Sequence, residues 1–196
     1  MMILVMAVLA VFTFYAFIFV KNQIAREVLG FTGVLLLLGA VGLTTLNFNA
    51  HWGMKKVTTT QTKNIYSAAP DQLPVKLLIT QEIGTKADDY VMVYRDNAND
   101  KQAKAHFVPN KSDMNQLIHT IARYEFKAVN QATVTTETTR WRFDSDLSRW
   151  LFGFTGIDGS LVKKEHLVTL PKQGWQAMTA KEAQAMQAQM AAKMAH

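Results

Sequence analysis

The stretches Met1–Val20 (MMILVMAVLAVFTFYAFIFV) and Val28–Leu46 (VLGFTGVLLLLGAVGLTTL) decide the architecture, with the charged connector KNQIARE at 21–27 between them. Neither run contains Asp, Glu, Lys, Arg or His. Each is close to the ~20 residues with which a helix crosses ~30 Å of hydrocarbon. So short a connector makes the two helices antiparallel neighbours. The pattern predicts an α+β chain: an N-terminal transmembrane helical hairpin over 1–50, a β-rich extracytoplasmic domain with one internal helix over 51–175, and a C-terminal helical tail over 176–196.

The missing charges bear on function. Proton relays, ion paths and intramembrane catalytic sites need ionisable groups within the spans, so the hairpin is expected to anchor rather than to transport. Ala7, Ala10, Thr13 and Ala16 recur every third residue in the first run, and Gly30, Gly33, Gly39 and Gly42 form a similar stripe in the second. Small residues let helix backbones approach closely in lipid. The stripes therefore pack the two helices on each other or dock a larger membrane protein. Phe12, Phe14, Tyr15, Phe17 and Phe19 approach the connector, and Phe48 and Trp52 follow the second run, as interfacial aromatic belts do. Lys21 and Arg26 sit directly at the span ends, whereas Lys55 and Lys56 lie further on. That asymmetry favours a cytoplasmic connector, with the soluble domain outside the cell. The start lacks a basic n-region, and no small-residue cleavage site precedes Lys21, so the first helix is expected to be retained.

The chain carries a net charge of +6 over 196 residues. From Asn47 onward there are 19 Lys/Arg and 14 Asp/Glu, spread without a run of like charge. Nucleic-acid binding needs a clustered basic face, so it is not expected. With no cysteine, disulfides, thiolate metal sites and cysteine nucleophiles are excluded.

Val57–Ser67, Val75–Ile83, Tyr90–Arg95, Lys104–Val108, Ala132–Phe143 and Ser160–Leu170 read as strands from β-branched and aromatic content and turn residues at their ends. Met114, Leu117, Ile118, Ile121 and Ala122 follow helical spacing. Thr179 and Glu182 form a capping box that opens a helix to Ala195, whose apolar face holds Met186, Met190 and Met194.

Few chemical motifs survive scrutiny. Asp96–Asp100 (DNAND) lacks the glycine and the closing glutamate of a calcium loop and reads as a turn. GFTGIDG at 153–159 has the wrong spacing for a phosphate loop, and Asp158-Gly159 before a strand signals a hairpin turn. His106, His119 and His166 show no metal-ligand spacing. No motif calls for a cofactor. The most distinctive cluster is Arg140-Trp141-Arg142-Phe143 with Arg149-Trp150-Leu151-Phe152. Its plain reading is core aromatics with solvated arginines. Its functional reading is a contact surface built on Arg140, Trp141, Arg142, Arg149, Trp150 and Phe152, because Trp and Arg dominate interface energetics. A third reading lays Trp150–Phe154 into the headgroup layer.

The hairpin, TTETTRWRF at 135–143, RWLFGFTG at 149–156, LVKKEHLVTLPK at 161–172 and Trp175 together resemble a family of two-span membrane proteins of lactic acid bacteria, classed as a domain of unknown function. The resemblance covers most of the chain and brings no catalytic residue with it. It implies an accessory role beside a multi-span membrane protein such as a multidrug efflux permease. Three functions follow as expectations. The first is a non-enzymatic accessory or scaffold protein, with the lipid bilayer and a membrane protein as partners. The second is a tethered cell-wall or ligand-binding module, with Trp141, Trp150 and Trp175 around a groove. The third is a hydrolase whose residues meet only in the fold.

Overall fold

The computed structural model describes residues 1–69, 75–83, 89–110 and 112–186. It is an α+β fold of two compact units. The first joins residues 1–57 with 140–160, and the second joins 58–139 with 161–196.

The first unit is built on α1 (Met2–Phe19) and α2 (Gln23–Ala50), both long and apolar enough to cross a membrane. Asn22 caps α2 by accepting a hydrogen bond from the Ala25 amide at 3.2 Å. His51 ends the helix in the left-handed region at φ 55°. The buried positions of α2 are Gly30, Gly33, Ala40 and Asn47, with Leu37 and Thr44 half-buried between them. These recur alternately three and four residues apart, the seam of two helices wound side by side. On α1 the seam holds Met2, Thr13 and Ala16. The Thr13 and Thr44 hydroxyls donate to the carbonyls of Leu9 and Ala40 one turn earlier, at 2.7 and 2.8 Å, and so stay paired inside an apolar setting. The turn after α2 needs a glycine at 53, where φ is +76° and a Cβ would stand 2.9 Å from the Ser148 hydroxyl oxygen.

The second unit packs two four-stranded sheets. Its strands are β1 (Met54–Asn64), β2 (Lys76–Glu82), β3 (Tyr90–Tyr94), β4 (Lys104–His106), β5 (Thr120–Lys127), β6 (Thr133–Phe143), β7 (Leu161–Pro171) and β8 (Trp175–Thr179). β1 and β6 each begin in the residues of one unit and end in those of the other. One sheet runs β1-β6-β7-β5 and the other β4-β3-β2-β8. β5 pairs parallel to β7 and β2 parallel to β8, while β3 is antiparallel to both of its neighbours. Leu78, Met92 and Trp175 from one sheet join Ala122, Val134, Val168 and Leu170 from the other in a single buried cluster. β1 is almost wholly exposed. Its threonines bond across to β6, Thr58 to Thr139 at 2.8 Å and Thr62 to Thr135 at 3.2 Å, which explains the threonine-rich sequence of both strands.

The helical spacing at 114–122 is realised only in part. α3 (Met114–His119) stops after six residues, and Ile121 and Ala122 belong to β5. The β-branched and aromatic content of TIARYEFK wins over a short helical period, and β7 supplies the register that fixes it. Residues 180–186 are helical behind the Thr179–Glu182 capping box, in which the Glu182 carboxylate accepts from the Thr179 amide at 2.7 Å. Met190 and Met194 lie outside the described residues.

Candidate functional site

In LVKKEHLVTL the alternation places Lys164 and His166 on the same strand face as Val168 and Leu170. A cation and an imidazole on the core face of a strand need a reason. The second unit supplies one in a cavity of about 620 Å³, lined by both. Its apolar wall comes from Ile83, Phe107, Val108, Leu117 and Ile118. Asn110, Gln116 and Thr120 add hydrogen-bonding groups, and Asp89 completes the polar side. The parallel register of β5 and β7 sets Thr120 opposite Lys164 and Ala122 opposite His166.

His166 is held from two sides. Its Nδ1 lies 2.8 Å from the Thr136 hydroxyl, and its ring stacks on Phe107 at 4.2 Å between centroids. Its Nε2 has no hydrogen-bond partner among the described residues. Burial, with a smaller contribution from the Lys164 charge, lowers its pKa from 6.5 to about 4. The ring is therefore neutral at pH 7 and its Nε2 edge can take part in a hydrogen bond. Such a depressed pKa makes it a poor general base, since that work is done best by a group titrating near the operating pH. Thr136 does not line the cavity, so its hydroxyl orients the ring and is not presented to a bound molecule. Lys164 makes no ion pair among the described residues, and the Thr120 hydroxyl oxygen is buried with no partner among them. Asp89 is engaged, accepting from the Ala122 amide at 2.9 Å.

Phe107 takes a left-handed backbone, φ 61°. For a bulky residue this is a strained conformation, of a kind that collects at functional sites. Its ring stacks on His166 and meets His106 at a tilt, 6.0 Å between centroids, and His106 in turn stacks on Tyr94 at 3.9 Å. Burial and the nearby Asp96 charge push the Tyr94 hydroxyl well above its ordinary pKa. Two of the three histidines marked in the sequence thus meet through an aromatic ladder. Among the described residues no three His, Asp or Glu side chains gather as a metal would need. The Asp96–Asp100 turn is closed by Arg95, which donates to the carbonyls of Ala98 and Asp100.

The small-residue stripes divide. A Cβ at Gly30 would meet the Phe17 ring and one at Gly33 the Thr13 hydroxyl, so these two form the close helix contact. Gly39 and Gly42 have nothing within 4 Å where a Cβ would stand, and Ala7 and Ala10 are exposed. A strict three-residue repeat drifts around a helix of 3.6 residues per turn, so one contact face cannot hold all of it.

The Trp/Arg cluster also divides, within the first unit. Phe152, on α4 (Asp146–Phe152), is fully buried with Met2, Ala40 and Phe143. Trp141 stacks on His51 at 4.1 Å with the Lys56 ammonium 5.2 Å from its ring centre. Arg140 donates to the Gly159 carbonyl at 2.7 Å, Arg142 pairs with Asp158 at 3.4 Å and Arg149 with Asp146 at 3.4 Å. Trp150 stays exposed. Trp175 is a core residue of the second unit, with 7% of its surface exposed, so it is not free to line a tryptophan groove.

Sequence reading missed Thr120, Asn110 and Gln116 as site residues: Thr120 falls within its helical span but begins β5, Asn110 reads as loop, and Gln116 reads only as part of the start of the helix that forms α3. The polar residues within the apolar alternation of β7 were the available signal.

Residues 22–186 match the family described as Domain of unknown function (DUF4811). The match covers most of the chain, which therefore belongs to that family. No curated protein and no solved structure matches it.

Proposed function

We propose that this DUF4811 protein is a membrane-anchored, non-enzymatic binding protein. In this reading the hairpin crosses the bilayer twice, the connector faces the cytoplasm, and the cavity of the second unit holds a small amphiphile outside the cell. The finer family reading, two-span membrane proteins of lactic acid bacteria, belongs to the same proposal. The observation that carries it is the cavity itself, because its size and its apolar wall with a few convergent polar groups are those of ligand sites. An acidic head would meet the Lys164 ammonium and the His166 Nε2 edge. The apolar body would lie on Phe107, Leu117 and Ile118.

Ligand-observed NMR on the full chain in nanodiscs, with small aromatic carboxylates and amines of matched shape, tests the reading. Carboxylates are expected to bind, and binding is expected to fall about tenfold or more in Lys164→Ala, as for a lost charge-assisted hydrogen bond. Equal signals from both classes, unchanged in that variant, would refute it. For sidedness, a cysteine at Arg123, the only one in the protein, should react with an impermeant maleimide on intact cells.

A second reading, an accessory subunit docked on a multi-span membrane protein, is favoured by the open notch at Gly39 and Gly42 on α2. A photo-cross-linker at Gly39 in native membranes should then capture one larger protein. Adducts with lipid alone would refute it.

A further inference from the structure

α4 is amphipathic in an unusual sense. Ser148 and Phe152 are buried, while Leu147 and Trp150 keep 65% and 55% of their surface exposed. Phe154, in the 3₁₀ turn that follows (Gly153–Thr155), is also exposed. Leu147 and Trp150 fall three residues apart on one face of α4, and Phe154 follows in the turn just beyond the helix end. Large apolar side chains clustered on a surface mark a contact with something apolar.

The position of α4 within the first unit identifies the contact. The amine of Met1, at the start of α1, donates to the carbonyls of Trp150 and Leu151 at 2.9 and 3.3 Å. Leu151 and Phe152 pack with Met2, Val5, Met6 and Leu9 of α1. Trp52, just beyond α2, meets Phe152 edge-on at 6.0 Å and remains half exposed, and Phe48 is exposed one turn earlier. α4 is therefore tied to the end of the hairpin where α1 begins and α2 finishes. That end lies at the boundary between acyl chains and headgroups. Trp and Phe favour this layer.

We infer that α4 is an interfacial foot, with Leu147 and Trp150, and Phe154 just beyond them, immersed in the leaflet at which α1 begins. The inference rests on the anchoring of the hairpin in a bilayer, and is independent of which side that leaflet faces. The two spans then anchor the first unit across the bilayer, and α4 adds a contact at one leaflet only.

The absence of native cysteine makes the test direct. Single cysteines at Leu147, Trp150 and Phe154, and at Leu35 in the exposed centre of α2, are labelled with an environment-sensitive dye in full-length protein in phosphatidylglycerol/phosphatidylcholine vesicles. Three sites guard against one substitution that fails to fold. Lipids with a nitroxide near the glycerol should quench the three α4 labels several-fold more than lipids with a nitroxide at the chain end, with the order reversed at Leu35. Aqueous iodide should quench the α4 labels several-fold less than free dye. Full iodide quenching of the α4 labels, with Leu35 still quenched by lipid, overturns the foot and leaves the anchor standing. α4 labels shielded from both iodide and lipid mean that a second copy covers the face, which also overturns it. Loss of lipid quenching at Leu35 as well overturns the anchor and the foot together.

Discussion

The hairpin and the sheet-rich unit sort their side chains in opposite ways. α1 and α2 hide Ala16, Gly30, Gly33 and Ala40 between them and present Phe31, Leu35 and Leu38 outward. The second unit hides Leu78, Met92, Val168 and Leu170 and presents threonine and lysine. The difference is the one that a hydrocarbon setting for the hairpin and an aqueous one for the second unit would produce. In water, burying a large apolar side chain stabilises by about 1.5–3 kcal/mol, so large residues go inside. In hydrocarbon that gain vanishes, close backbone approach decides, and small residues go inside.

The contrast breaks most plainly under truncation. Leu170→Ala in the second unit should destabilise by about 2–5 kcal/mol, because it opens a cavity in a packed core. Leu35→Ala on the outer face of α2 should change stability by less than ~0.5 kcal/mol. Denaturant unfolding in nanodiscs, followed by the emission of core Trp175, measures the first, and span-to-span energy transfer the second.

Enlargement should show the opposite sensitivity within the hairpin alone. Gly30→Leu drives a side chain into the Phe17 ring and should weaken association of the spans by about 1–3 kcal/mol. Gly39→Leu meets nothing and should leave the energy transfer unchanged.

Acid sharpens the comparison, because it reaches a buried histidine only in the second unit. The folded His166 titrates near 4 and the unfolded one near 6.5. Between those values the unfolded chain binds the extra proton, so stability falls as pH drops through this window. The contribution is complete above about 6.5 and gone below about 4. His166→Phe should remove this slope from a series of unfolding curves while leaving the hairpin signal untouched. A small effect of the opposite sign is expected at Thr120→Val. Removing an unpaired buried hydroxyl should leave the protein as stable as before or firmer by up to ~1 kcal/mol.

The chemistry of the candidate site was half written in the chain. Lys164 and His166 stand out as polar residues in the apolar alternation of β7, which is a one-dimensional signal. Their partners are not. Thr136 lies thirty residues away and Phe107 nearly sixty, and only pairing of β6 with β7 and closure of the sheets bring them to the ring. The Trp/Arg cluster was legible as a composition, yet nothing local separates buried Phe152 from exposed Trp150, two positions apart on one helix.

The sequence by itself determined the two apolar runs, their antiparallel pairing, the Thr179–Glu182 capping box and most strands, because each depends on neighbours within a few residues. Only the tertiary structure decided which glycines touch a partner helix, that the helical spacing after Met114 yields to a strand at Thr120, and that an aromatic ladder ends at a cavity. These depend on which distant surfaces meet, and a periodic pattern states only that a face is apolar, not what will cover it.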